Sequence, residues 1–341
     1  MIDAYGRKLR VLRLIVTLRC NYNCIFCHKE GQVVEVQELP AGVYGVLAEA
    51  FASLGVISFK LTGGEPLVRK DIVDIVDEVK TYGRPYDISL TTNGYFLVDL
   101  VHKLREAGLH RLNVSLHSLD KNMYKYITGV DGFHRVIRGI EKALDEGIKV
   151  KINFTLLRGL NDNDVPQLID YVVENKVNLS LIELHPVGKG KEVFNERHQG
   201  LDDIKGYIKR KFSNVKVILR EQNNREIYVI DNGVFIEFIC PIDNPYFCLG
   251  CNRLRVDCSG GLRICLNDPN VKYSLFEILS SGKDRCEKVK EVIKAILNVN
   301  KLRKPYNTFN LTTLPNYMVK NISNKYGFRV PLVKEVGIGI I

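Results

Sequence analysis

The stretch Cys20–Gly31, "CNYNCIFCHKEG", carries three cysteines within eight residues, with three and then two residues between them. A lone cysteine is commonly a small buried hydrophobe, but three at this spacing form a ligand set. Three thiolates on one short loop can hold three irons of a cubane cluster. The fourth iron then stays open to a substrate or cofactor. Zinc is the competing ion, and its structural sites take four ligands, usually as two separated pairs. His28 could complete such a set, although its adjacency to Cys27 makes the geometry awkward. A second group lies in "CLGCNRLRVDCSGGLRIC", where Cys248, Cys251 and Cys265 have two and then thirteen residues between them. A zinc ribbon with Cys258 or Cys240 as fourth ligand is the alternative there. Arg253 and Arg255 beside that loop point to a bound phosphate or carboxylate, which arginine forks fit and a purely structural zinc knuckle does not require.

Bulk properties agree with metal chemistry in a soluble chain. Nine clustered cysteines among 341 residues favour metal over disulfides in a reducing, cytoplasmic setting. A hydrophobic content of 45% and a charged content of 26% are those of a globular protein. No apolar run approaches the ~20 residues of a membrane span. The start "MIDAYGRKLR" lacks the apolar region of a signal peptide. A net charge of +10 suits an anionic ligand. No motif interleaves aromatic and basic residues for base stacking, which argues against a nucleic-acid partner.

These loops need a scaffold, and the sequence supplies an alternating one. Apolar, β-branched runs at Val11–Thr17, Val56–Thr62, Tyr86–Thr92, Arg111–Leu116, Lys149–Thr155 and Asn178–Leu184 read as buried strands. Helical periods separate them: Ile72, Ile75, Val76 and Val79 share one face, with Asp71 as N-cap and Gly83 as stop. Six such units imply a parallel α/β sheet, two units short of a closed barrel. The expected fold is a partial (βα)6 TIM-like barrel over residues 1–213, with a doubly wound sheet as second choice. Residues 214–341 read as an α+β extension with a hairpin at "DNG", Asp231–Gly233, carrying the second cysteine group. Cys20, Cys24 and Cys27 directly follow the first strand, where parallel α/β folds build active sites.

The first cysteine motif, with the aromatic Phe26 before its last cysteine, resembles the radical S-adenosylmethionine (SAM) superfamily. "TGGEP" (Thr62–Pro66), "TTNG" (Thr91–Gly94) and "VSLHSLD" (Val114–Asp120) are similar to further motifs of that superfamily. The resemblance implies that SAM chelates the open iron and is cleaved to a 5′-deoxyadenosyl radical. From about Leu12 to Tyr317 the chain resembles, more narrowly, the GTP 3′,8-cyclase family of molybdenum-cofactor biosynthesis, in its archaeal form. That implies a lyase converting GTP to (8S)-3′,8-cyclo-7,8-dihydroguanosine 5′-triphosphate, with an electron donor and room for a homodimer. It implies two [4Fe–4S] clusters, one on Cys20, Cys24 and Cys27 and an auxiliary one on Cys248, Cys251 and Cys265. SAM contacts fall on Phe26, Gly64, Ser115 and His185. GTP contacts fall on Arg13, Lys60, Thr91, Lys151, Arg253, Leu254 and Arg255, of which Arg13, Arg253 and Arg255 match catalytic positions. Charge inside a barrel is rarely left unpaired, so Arg13, Lys60 and Lys151 on three strands favour an anion within. The alternative is another radical SAM enzyme with an auxiliary cluster, acting on a peptide or RNA. Two features depart from the family pattern. Ser180 replaces an arginine, and "NYMVKNISN" (Asn316–Asn324) stands in place of a Gly-Gly ending.

Overall fold

The computed structural model describes residues 1–32, 37–230, 233–242, 244–268 and 270–306. The altered ending at Asn316–Asn324, the tail to Ile341, and Asp231 and Asn232 of the expected turn lie outside the described residues. Strands β1 (Val11–Thr17), β2 (Ser58–Gly63), β3 (Asp87–Thr92), β4 (Arg111–Ser115), β5 (Lys149–Leu156) and β6 (Asn178–Glu183) alternate with helices. These are α1 (Gly42–Ser53), α2 (Ile72–Gly83), α3 (Leu97–Glu106), the pair α4 (Lys121–Thr128) and α5 (Phe133–Asp145), and α6 (Val165–Glu174). Helices α7 (Gly190–Arg197) and α8 (Asp202–Lys211) follow β6. Then come β7 (Lys216–Arg220), β8 (Arg225–Val229), β9 (Phe235–Ile239), α9 (Pro245–Leu249), β10 (Arg253–Val256), β11 (Gly261–Arg263), β12 (Tyr273–Ser274), α10 (Phe276–Ser280) and α11 (Arg285–Lys301).

The twelve strands of the described residues form one sheet in the order β12-β11-β10-β1-β2-β3-β4-β5-β6-β9-β8-β7. From β10 to β9 every pairing is parallel. The first six strands therefore make the open, partial barrel expected from their alternation. The chain beyond residue 213 continues the same sheet. It adds β10 in parallel to the free edge of β1 and β9 in parallel to the free edge of β6. Antiparallel strands then extend both flanks. An uncovered strand edge is a template for aggregation, and here both edges of the partial barrel are covered by one downstream segment.

Period-two alternation explains how each strand serves core and site together. In β1, Leu12, Leu14 and Val16 enter the main core while Arg13 turns the other way. Helix α2 buries Ile72, Ile75, Val76 and Val79 as its period requires. Its ends differ from the expectation in detail. Asp71 occupies the N-cap position without capping, because Arg69 takes its carboxylate at 2.6 Å. The left-handed stop falls on Arg84, not on Gly83. Gly83 is instead a packing residue: a Cβ there would come within 3.0 Å of Ala48 Cβ on α1 and 3.3 Å of the Phe59 ring.

Candidate functional site

Register across the sheet lines up one row of inward side chains. Arg255 pairs with Arg13, Arg13 with Lys60, Lys60 with Ser89, Ser89 with Arg111, and Arg111 with Lys149. Residues in direct register share a face, so basic groups far apart in sequence meet inside the barrel. Above them opens a cavity of about 320 Å³. Arg13, Phe26, Lys60, Thr91, Ser115, Lys151 and His185 line it. From the C-terminal segment come Cys248, Cys251, Arg253, Arg255 and Cys265.

The first cysteine loop is held in an unusual shape. Lys29 and Glu30 take left-handed backbone angles, with φ of 46° and 50°, which residues with side chains rarely adopt. The turn buries the Glu30 carboxylate between two strand cations: Arg13 Nη2 lies at 2.8 Å and Arg255 Nη1 at 3.0 Å. Thr62 Oγ1 donates a third bond at 2.9 Å. Burial alone would raise the Glu30 pKa, but Arg13, His28 and Arg255 hold it down to about 2. Arg13 Nε stays buried without a hydrogen-bond partner among the described residues. On the far side of the cavity, Lys151 Nζ meets the buried Glu237 at 2.7 Å. The anion expected among these strand cations is thus supplied by the protein itself for Arg13 and Lys151, as Glu30 and Glu237. Lys60 has no hydrogen-bond or ion-pair partner among the described residues. Burial first, then Arg111, Arg225, Lys151 and Arg220, push its pKa well below the ordinary lysine value.

Both cysteine groups present donor chemistry suited to iron–sulfur clusters. In the first, Tyr22 N–H donates to Cys20 Sγ and Lys29 N–H to Cys27 Sγ, each at 3.4 Å. Such bonds stabilise thiolate sulfurs and tune clusters. Without a metal, burial pushes the thiols up, Cys24 to about 12 and Cys20 to about 11. Phe26 and His28, flanking Cys27, reach the cavity. In the second group burial would raise the Cys251 pKa, but Arg253, Arg303 and Arg7 pull it down to about 6. That thiol is therefore ready to bind metal as a thiolate. Cys258 is fully buried, and neither it nor Cys240 lines the cavity. Among the described residues, no three His, Cys, Asp or Glu side chains are spaced to hold a single metal ion.

Two expected contacts stand apart from the cavity lining. Leu254 is wholly buried in the main core, so its side chain faces away from the other ligand candidates. Gly64 serves backbone packing: a Cβ would meet Arg19 O at 2.3 Å and Leu18 O at 2.6 Å, just before Cys20. His185 lines the cavity as a neutral ring, its pKa lowered by burial to about 4, with Nε2 at 2.7 Å from Asn267 Oδ1. Ser180 sits below, wholly buried, donating to Glu237 at 3.0 Å.

Sequence reasoning missed Glu30, Glu237, Arg225 and His117. Glu237 had a legible signal, since it is the one charge in the apolar run "VFIEFI" and a buried charge needs partners. His117 had none beyond its place in "VSLHSLD". Its Nδ1 accepts from Thr155 N at 3.1 Å, and its ring meets Phe26 edge-on with centroids 4.6 Å apart. Burial keeps it neutral, with a pKa near 3.

Comparison with known proteins follows the two cysteine groups. Residues 14–172 match the radical SAM superfamily, and residues 177–307 match Molybdenum Cofactor Synthesis C. A probable GTP 3′,8-cyclase from Metallosphaera sedula is 40% identical over 306 residues, covering 88% of this chain and 95% of that one. One from Saccharolobus solfataricus is 41% identical over 309 residues, covering 89% and 98%. Among solved structures, Streptococcus suis SuiB bound to S-adenosylmethionine superposes with a TM-score of 0.62 at 17% identity, over 80% of this chain and 64% of that one. The structure of anSMEcpe with bound AdoMet gives 0.53 at 18% identity, over 83% and 82%. At these identities the superpositions speak for the fold alone.

Proposed function

This chain belongs to the GTP 3′,8-cyclase family of the radical SAM superfamily, and from that premise we propose that it cyclises GTP to (8S)-3′,8-cyclo-7,8-dihydroguanosine 5′-triphosphate at the mouth of its partial barrel. One observation carries the reading. A single cavity gathers the second cysteine group, in which the Cys251 thiol is poised as a thiolate, four arginines from the C-terminal segment and three basic strand residues. Cys20, Cys24 and Cys27 would hold one [4Fe–4S] cluster, and Cys248, Cys251 and Cys265 an auxiliary one. A cluster held by the first group would supply the electron that releases a carbon-centred radical from SAM.

The chain's own residues do the rest by position and charge. Glu30 anchors one end of the Arg13 and Arg255 forks, which leaves other N–H groups of both for an anionic ligand. Lys60 places a buried amine deeper in the barrel, whose charged form a bound anion would favour. Phe26 and the neutral His117 also line the cavity, where a flat adenine ring would pack, and Ser115 adds a hydroxyl. His185 and His117 are held neutral by burial, so neither adds charge beside a cationic sulfonium cofactor. The reading includes an electron donor and a cytoplasmic setting, and it is compatible with a homodimer. No helix among the described residues is long and apolar enough to cross a membrane.

The test is anaerobic, reconstituted protein incubated with SAM, dithionite and GTP, with both products identified by mass spectrometry. Matched yields of 5′-deoxyadenosine and the cyclised nucleotide are expected. Turnover of a peptide or an RNA, with GTP left unchanged, would overturn the reading.

A further inference from the structure

The barrel interior around Glu237 holds more cations than its carboxylates balance. Glu237, on β9, is 2% exposed and binds three cations from three other strands. Lys151 Nζ from β5 lies at 2.7 Å, Arg220 Nη1 from β7 at 3.0 Å, and Arg225 Nη1 from β8 at 3.1 Å. Lys60 stands beside this group without a partner among the described residues, and Arg111 adjoins it, tied to Asp87 at 2.6 Å. Three arginines, Lys151 and the Lys60 amine thus face two carboxylates, with Arg220 partly exposed. Buried charge is costly unless compensated, and one glutamate cannot satisfy three cationic side chains. The surplus lies between two cavities. Lys151 lines both the large cavity and a smaller one of about 130 Å³, which Arg111, Lys149 and Arg220 also line. Arg225 lines the large one.

A ligand with several closely spaced anionic oxygens fits such a cluster, because each fork can engage a separate oxygen. We propose that Arg220 and Arg225 bind the polyphosphate of the nucleotide together with Lys60 and Lys151, and that Glu237 is a resident counter-ion which the phosphates displace. This rests on the nucleotide reading above and names what holds the far end of that ligand. Glu237 keeps the three cations assembled and aimed before the ligand arrives. It also competes with the ligand for them. Neutralising Glu237 therefore strengthens polyphosphate binding while weakening the empty fold.

The experiment measures inorganic tripolyphosphate and guanosine binding to the reconstituted full chain by calorimetric titration, alongside thermal unfolding. Arg220→Met and Arg225→Met should each weaken tripolyphosphate about tenfold or more, as loss of a charge-assisted bond predicts, with guanosine affinity unchanged. Glu237→Gln should melt earlier when empty, yet bind tripolyphosphate more tightly and gain a larger thermal shift from it. Unchanged tripolyphosphate affinity in both arginine variants overturns the proposal. Weaker binding in Glu237→Gln overturns the counter-ion role. If an arginine variant loses guanosine binding as well, Arg225→Lys decides: recovered tripolyphosphate affinity supports the proposal, and continued loss overturns it. Tripolyphosphate behaviour as expected, with no cyclised product from GTP, would overturn the cyclase reading alone.

Discussion

At the scale of single residues, Glu30 does the most with the least sequence signal. Its carboxylate joins the first cysteine loop to Arg13 on β1 and Arg255 on β10. Its folded pKa of about 2 lies below the ordinary 4.5, so the charged form favours folding. That contribution is present above about pH 4.5 and is lost as pH falls towards 2. The shift corresponds to something on the order of 3 kcal/mol. Glu30→Gln should lower stability by that order near pH 7, with the difference from wild type shrinking as the pH approaches 2. Urea unfolding at a series of pH values measures this, and a pH-independent difference would contradict it. The cations of the site were legible because basic residues interrupt apolar strands at Arg13, Lys60 and Lys151. Glu30 was not, because it sits on a loop 225 residues from Arg255 and reaches it only once β10 pairs with β1.

At the scale of elements, strand and helix alternation was readable because parallel strands buried on both faces give continuous apolar runs. Strand β10 escaped notice for a converse reason. Its residues Arg253–Val256 read as part of a metal loop, since a four-residue strand carrying two arginines has no apolar run to announce it. Gly83 shows how an element's end can be misassigned. Helix propensity says that Gly→Ala gains up to about 1 kcal/mol. Packing says otherwise, because the added Cβ would press on Ala48 at 3.0 Å, and overpacking of this kind costs ~1–3 kcal/mol. The position ends the helix, where the propensity gain is least, so the packing cost wins. Gly83→Ala should therefore lower the melting temperature, and an unchanged or raised value would show that α1 and α2 separate freely.

At the scale of the whole molecule, the expected division at residue 213 falls between α8 and β7, while the sheet runs on through the strands beyond it. Because β9 seals β6 and β10 seals β1, neither part keeps a closed set of backbone bonds without the other. Thermal unfolding of the metal-free chain, followed by calorimetry, should show one cooperative transition. Two well-separated transitions, one confined to the segment after residue 213, would reveal two independent folding units.

The pairing of β1 with β10 also sets a clock on biosynthesis. Val11 pairs with Arg253, so the outer edge of the first strand waits for a partner that leaves the ribosome about 240 residues later, roughly tens of seconds at ordinary elongation rates. Through that interval a nascent chain exposes an apolar strand edge, together with three cysteines that directly follow it. The order of translation thus leaves the first cysteine loop built but unlatched until Arg255 arrives to meet Glu30. A chain stalled before β10 therefore keeps both an open β1 edge and a Glu30 carboxylate that lacks one of its two arginine partners.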